Sequence, residues 1–123
     1  KEAQGIAINQ QSLYTAMDAV AGNWLHQSGI TGSGSWNFGA EKREDHVQIY
    51  GEKGKISFSV FNENPIVLEK GSHKESLIIE NPENIQLFHV QNIKNKLSDN
   101  KTHPSTGETA SHTTWVLENI LKK

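Results

Sequence analysis

The stretch Thr31-Gly32-Ser33-Gly34-Ser35-Trp36-Asn37-Phe38-Gly39 decides how this chain is read. Glycines at short spacing can bring a backbone against a phosphate, and that use would imply a nucleotide-binding α/β domain. The spacing fails both phosphate motifs. Gly32-x-Gly34-x-x-Asn37 has Asn where the dinucleotide fingerprint needs its third glycine. Gly34-x-x-x-x-Gly39 runs into Ala40-Glu41, where a P-loop needs Lys followed by Ser or Thr. Gly32-Ser33-Gly34-Ser35-Trp36 also misses the Gly-x-Ser-x-Gly of a nucleophile elbow. What remains is period-2 alternation, in which glycines mark a bulge or a place where a backbone or bulky side chain packs close. The stretch reads as a strand, and the fold is built around strands.

On either side the same alternation recurs, with β-branched and aromatic residues at 3–9, 18–27, 30–40, 46–51, 55–61, 66–69 and 76–80. The connections carry hairpin chemistry: Ser28-Gly29, Gly51-Glu52-Lys53-Gly54, Asn62-Glu63-Asn64-Pro65 and Lys70-Gly71-Ser72-His73. At Asn81-Pro82 the period changes. Asn81 is placed to cap a helix with Pro82 at its first position, and Leu87, Val90, Ile93 and Leu97 follow at spacings of three and four. After a polar loop, Ser105-Thr106-Gly107-Glu108 fits a capping box. It predicts a second helix whose inward stripe is Thr113, Val116, Leu117, Ile120 and Leu121. Strands first and helices second predict an α+β fold: an open-faced, mostly antiparallel sheet with helices on one face. In the central strands, Ile30, Trp36, Phe38, Ile56, Phe58 and Val60 alternate with Thr31, Ser33, Ser35, Asn37, Ser57 and Ser59. Two helices cover one face, so the other is expected to meet water, another domain or a second subunit.

The 123 residues read as a single domain, 1–123, and a formal net charge of −2 carries no basic surplus that would favour nucleic acid or an anionic membrane. With no cysteine there is no disulfide, thiolate ligand or thiol nucleophile. No apolar run approaches membrane-spanning length, and no basic-plus-apolar leader is present. The histidines at 26, 46, 73, 89, 103 and 112 lie at no metal-binding spacing, so no metal is expected. Glu41-Lys42-Arg43-Glu44-Asp45-His46 is either a solvated hairpin tip or, beside Trp36, the rim of a polar pocket. No nucleophile and base stand out as a pair, so the residues alone leave catalysis undecided. The chain opens at Lys1 directly on a strand-like segment, as a domain excised from a longer protein would.

Taken together, "GSGSWNFGAEKREDHVQIYGEKGKISFSVF" and "HPSTGETASHTTWVLENIL" resemble the C-terminal domain of the glucose-fructose oxidoreductase, inositol dehydrogenase and MocA family. The strand ending in an aromatic, the charged loop, the Gln48-to-Phe58 hairpin and the Pro-Ser-Thr-Gly-Glu helix start come in the family's order. The resemblance implies a parent NAD(P)-dependent oxidoreductase of sugars, inositols and related polyols. Its NAD or NADP would be bound by an N-terminal Rossmann domain that precedes this region, as do the family's catalytic Lys and His motifs. For this chain it implies a substrate-pocket and oligomerisation domain, cytoplasmic and inactive alone, partnered by the Rossmann domain and by a second copy. Trp36, Phe38, Arg43 and Asp45 become candidate substrate contacts: Trp36 to stack on a sugar face, Arg43 to hydrogen-bond hydroxyls or a carboxylate. The competing reading is a stand-alone β-rich interaction module with no enzymatic parent.

Overall fold

The computed structural model describes residues 2–122. Its elements, in order, are β1 (Glu2–Ile8), β2 (Ala19–Leu25), β3 (Thr31–Asn37), β4 (Val47–Gly51), β5 (Gly54–Phe58), β6 (Ile66–Lys70), β7 (His73–Leu77), α1 (Leu87–Asp99) and α2 (Gly107–Leu121). The α+β class and the antiparallel, open-faced strands agree with the sequence reading. The strands divide into two sheets, ordered β1-β2-β3 and β4-β5-β6-β7, every pairing antiparallel. The contacts also divide the chain into two compact units. One takes the chain up to Glu41 and again from His103; the other is Lys42–Thr102.

In the first unit, register places Gly5 opposite Gly22 and Gly22 opposite Gly34, a row of glycines across all three strands. Flanking rows on the same face are Ala3-Trp24-Gly32 and Ala7-Val20-Trp36. A face this flat lets a helix come close, and α2 lies along β1 and β2. Ile120 drops into the hollow: a Cβ on Gly5 would fall 2.6 Å from its Cγ2, and one on Gly22 would fall 2.8 Å from its Cδ1. Ile120 is 2% exposed and forms the buried apolar centre of this unit.

The helix is phased differently from the sequence expectation. His112, Trp115, Val116, Asn119 and Ile120 face the sheet, while Thr113, Leu117 and Leu121 are exposed. Its start also lies one residue later. Thr106 is the N-cap and Thr109, not Glu108, completes the reciprocal capping box.

The ten-residue loop between β1 and β2, residues 9–18, turns on the buried Asp18, whose carboxylate accepts from the Gln10 N–H at 2.6 Å and the Gln11 N–H at 2.9 Å. The Gln10 bond first, then Gln11, holds this carboxyl below its ordinary pKa. The Asp18 backbone also links β1 to the end of β3, donating to Ile8 and accepting from Phe38.

The second unit is a meander of short hairpins. Gly51 faces Gly54 across a two-residue turn, and Gly71, at φ 60°, turns β6 directly into β7 at His73. That strand is therefore earlier than 76–80, ending at Leu77. One face carries Val47, Ile49, Ile56, Phe58, Ile66, Leu68 and Leu77, with Glu75, Lys70 and His73 toward its β6–β7 edge; the other carries Gln48, Tyr50, Lys55, Ser57, Val67, Glu69, Lys74 and Ser76. Lys55 and Glu69 are directly opposed and form an ion pair at 2.7 Å.

The first helix starts at Leu87, not at Asn81-Pro82. The Asn81 amide is spent on Glu63 Oε1 at 2.8 Å, and Asn84 organises the approach by accepting from the Gln86 and Leu87 N–H groups. Asn100, at φ 51°, closes the helix in left-handed geometry. Within this unit α1 does not pack on the β4–β7 sheet.

Candidate functional site

The opening stretch forms β3 and the turn after it, and its glycines are filled from within. A Cβ on Gly32 would fall 2.2 Å from Trp24 Cε2, so the Trp24 indole lies across the register onto β3. A Cβ on Gly34 would fall 2.7 Å from Trp36 Cη2, so Trp36 folds back over its own strand. The expectation that a bulky group packs on these glycines holds. The group is an indole of the same chain. Ser33 and Ser35 face the opposite side, in rows with Asn23 and Gln4 and with Ala21 and Ile6. Ile6, 71% exposed, is the large apolar side chain of those two rows.

The candidate contact residues fall in both units. Trp36 stays 43% exposed, leaving ring surface beyond Gly34. Phe38, just past β3, is 80% exposed; its N–H donates to the Asp18 carbonyl at 2.8 Å, so the backbone is fixed while the ring faces solvent.

In the second unit Asp45 is committed. One carboxylate oxygen accepts from the Val60 N–H at 3.0 Å and the other from the Phe61 and Asn62 N–H groups at 2.6 and 3.1 Å, while its carbonyl accepts from Ser59 Oγ. The Phe61 bond contributes most and the Arg43 charge least to a carboxyl pKa held below its ordinary value. Asp45 thus caps residues 59–62, taking N–H groups that a strand would give to its neighbour. That is why β5 ends at Phe58 and not at residue 61. Arg43 stands over the Phe61 ring at 5.9 Å from its centroid, within cation–π range. Its guanidinium has donors to spare for a hydroxylated or anionic ligand.

Sequence reasoning passed over Trp24 and Phe61. Trp24 could have been found by its position opposite Gly32, a large residue facing a glycine across a hairpin. Among the described residues no group of three or more His, Asp or Glu side chains is gathered as a metal site, and His26 and His112 meet edge-to-face at 6.2 Å. No described helix is long and apolar enough to cross a membrane.

No protein-family model matches the chain. It is similar to Oxidoreductase P35 of Formosa agariphila, with 33% identity over 99 residues, covering 80% of this chain and 30% of that protein. It also superposes on a Thermotoga maritima protein assigned as an oxidoreductase, at a TM-score of 0.72 and 13% identity over 96% of this chain and 36% of that one. The chain spans about a third of the length of each. At 13% identity the second likeness shows a shared fold; with the first, it makes the chain similar to part of an oxidoreductase.

Proposed function

We propose that this chain is the substrate-pocket and oligomerisation domain of an NAD(P)-dependent oxidoreductase of the glucose-fructose oxidoreductase, inositol dehydrogenase and MocA family, whose parent moves hydride between a sugar or polyol and nicotinamide. The similarity to Oxidoreductase P35 across 80% of the chain carries the reading, and the order of motifs from Trp36 to the α2 start supports it.

The chain's own residues do not fit the dinucleotide. A pyrophosphate needs free backbone N–H groups at a helix N-terminus. Here Gly32 and Gly34 lie in a strand beneath two indoles, and a turn follows them. In this reading nicotinamide binding and proton transfer are given, by the family resemblance, to the remainder of the parent, and no step of the reaction is assigned to this chain.

Its own part is shaping and joining. In the first unit the exposed ring of Trp36 offers a flat apolar surface for the C–H face of a sugar; in the second, taken by itself, Arg43 is steadied over Phe61 and offers donors to hydroxyls. Asp45, whose carboxylate accepts from the Val60, Phe61 and Asn62 N–H groups, fixes the segment that carries the Phe61 ring beneath Arg43. The apolar face of β4–β7 pairs with a second copy, and the exposed stripe of α1 is covered by the Rossmann domain of the parent.

The test is polyol- or sugar-dependent reduction of NAD+ or NADP+ by the purified parent protein, with Trp36→Ala raising KM more than it lowers kcat. A parent that reduces neither nicotinamide with any sugar or polyol, or micromolar NADH binding by this chain alone, contradicts the assignment.

A further inference from the structure

The loop between β1 and β2 is tied down along its backbone, yet it holds its two large apolar side chains in solvent. Asn9 Oδ1 accepts from the Ser12 N–H at 2.8 Å, and Asn9 Nδ2 donates to the Tyr14 carbonyl. Ser12 sits between them in the left-handed region, at φ 57°. With the Gln10 and Gln11 N–H groups on the Asp18 carboxylate, these bonds fix the backbone on both sides of Leu13. Leu13 and Tyr14 are nevertheless 68% and 73% exposed. The candidate contact residues lie at this same end of the sheet, where β1 ends, β2 begins and β3 ends. The loop is joined to the end of β3 twice. The Asp18 carbonyl accepts from the Phe38 N–H at 2.8 Å, and a Cβ on Gly39 would fall 2.1 Å from Gln11 Nε2. The loop therefore forms one tip with Phe38 and with Trp36 two residues before it.

We infer that this tip, through Leu13 and Tyr14, is the seat on which the nicotinamide-binding part of the parent docks. The inference rests on the reading of Trp36 above and follows from reach. Hydride passes between atoms held about 3–3.5 Å apart. A substrate lying on Trp36 therefore brings the nicotinamide, and the part of the parent that holds it, against this end of the sheet. That part is large: the chain spans 30% and 36% of its two relatives, so most of each lies beyond the match. Beside Trp36 at that end stands the 9–18 loop, and a body that closes over the substrate meets Leu13 and Tyr14. A loop whose backbone is already fixed gives up little freedom when it is covered, and an aromatic ring on such a loop is an effective anchor.

Hydroxyl-radical footprinting read by mass spectrometry tests this surface directly, and the 2 tyrosines of the chain make it a paired measurement. In the chain alone, Tyr14 and Tyr50 are exposed to a similar degree and are expected to oxidise at similar rates. In the purified parent, oxidation of Tyr14 is expected to fall several-fold. Leu13→Asp in the parent should return Tyr14 to the rate it has in the chain alone, while the same substitution leaves the urea midpoint of the chain unchanged. The inference is overturned if Tyr14 oxidises as fast in the parent as in the chain alone, or if Leu13→Asp leaves it protected. Protection of Tyr14 in the chain alone at high micromolar concentration, lost on dilution, assigns the tip to a second copy and overturns it too. The sugar-and-polyol reading is judged apart, by the parent's own assay. A parent that reduces nicotinamide, with KM raised by Trp36→Ala but Tyr14 still reactive, sinks the docking and leaves that reading standing.

Discussion

The two sheets of this chain are both antiparallel meanders with a one-sided pattern, yet they are finished differently. In β1–β3 the inward face is made almost flat by Gly5, Gly22, Gly32 and Gly34, and the volume is returned by Trp24, Trp36 and Ile120. In β4–β7 the corresponding face keeps Val47, Ile49, Ile56, Phe58, Ile66, Leu68 and Leu77, and the helix of that unit does not pack upon it. Ile49 and Leu77 remain 56% and 59% exposed. A sheet that gives up its side chains accepts a helix of its own; one that keeps them offers a surface to another body. Glycine in a strand here signals internal cover, and branched apolar rows signal a partner.

Filling the first sheet is expected to have the largest effect. Gly5→Val places a Cβ 2.6 Å from the Ala21 carbonyl oxygen and 2.8 Å from that of Ile120, both backbone atoms that cannot swing aside. We expect α2 to leave the sheet, with the Ile120 methyl signals collapsing to unfolded positions in NMR. Gly22→Ala meets only the Ile120 side chain and should be milder; equal effects of the two would contradict the account of close backbone approach.

Emptying the hollow comes next. Ile120→Ala should cost about 2–5 kcal/mol in urea unfolding, the usual range for a buried aliphatic residue truncated to Ala. A loss within the range of surface substitutions would mean that α2 is not held by this contact.

The smallest of these effects separates the units by pH. Asp18 anchors the first unit and Asp45 the second, and each carboxyl sits below its ordinary value of 3.8 because backbone N–H groups favour the charged form. Their stabilisation is fully present above that value and is lost as pH falls through the lower folded value. The urea midpoint should therefore hold near neutrality and drop below about pH 4. Asp45→Asn should lower the neutral midpoint and flatten the acid decline, and an unchanged acid slope would show that Asp45 does not hold residues 60–62.

Much of the strand order was legible because turn chemistry is local. Gly29 and Gly71 sit at positive φ where the sequence placed hairpins, and the Gly51–Gly54 turn closes as its residues suggest. Register was not legible: that Gly5, Gly22 and Gly34 align depends on loop lengths acting between distant segments, which no single window contains. The phase of α2 was missed for the same reason. Hydropathy favours Leu117 and Leu121, but a row of glycines flanked by Trp24 selects the His112, Trp115 and Asn119 side, where a broad ring and an amide fit the rim. At the site, Trp36 beside Gly34 was readable as aromatic cover. The role of Asp45 was not, since its partners lie fifteen residues on, in a loop that the alternation read as strand.

The contrast between a self-covered sheet and one that awaits a partner is tested most directly by sedimentation equilibrium of the chain at high micromolar concentration, beside Ile56→Lys on the apolar face of β5. The account predicts a dimer for the chain and a monomer for Ile56→Lys with the packing of Ile120 intact. A strict monomer for the unsubstituted chain, or a dimer indifferent to Ile56→Lys, would contradict it.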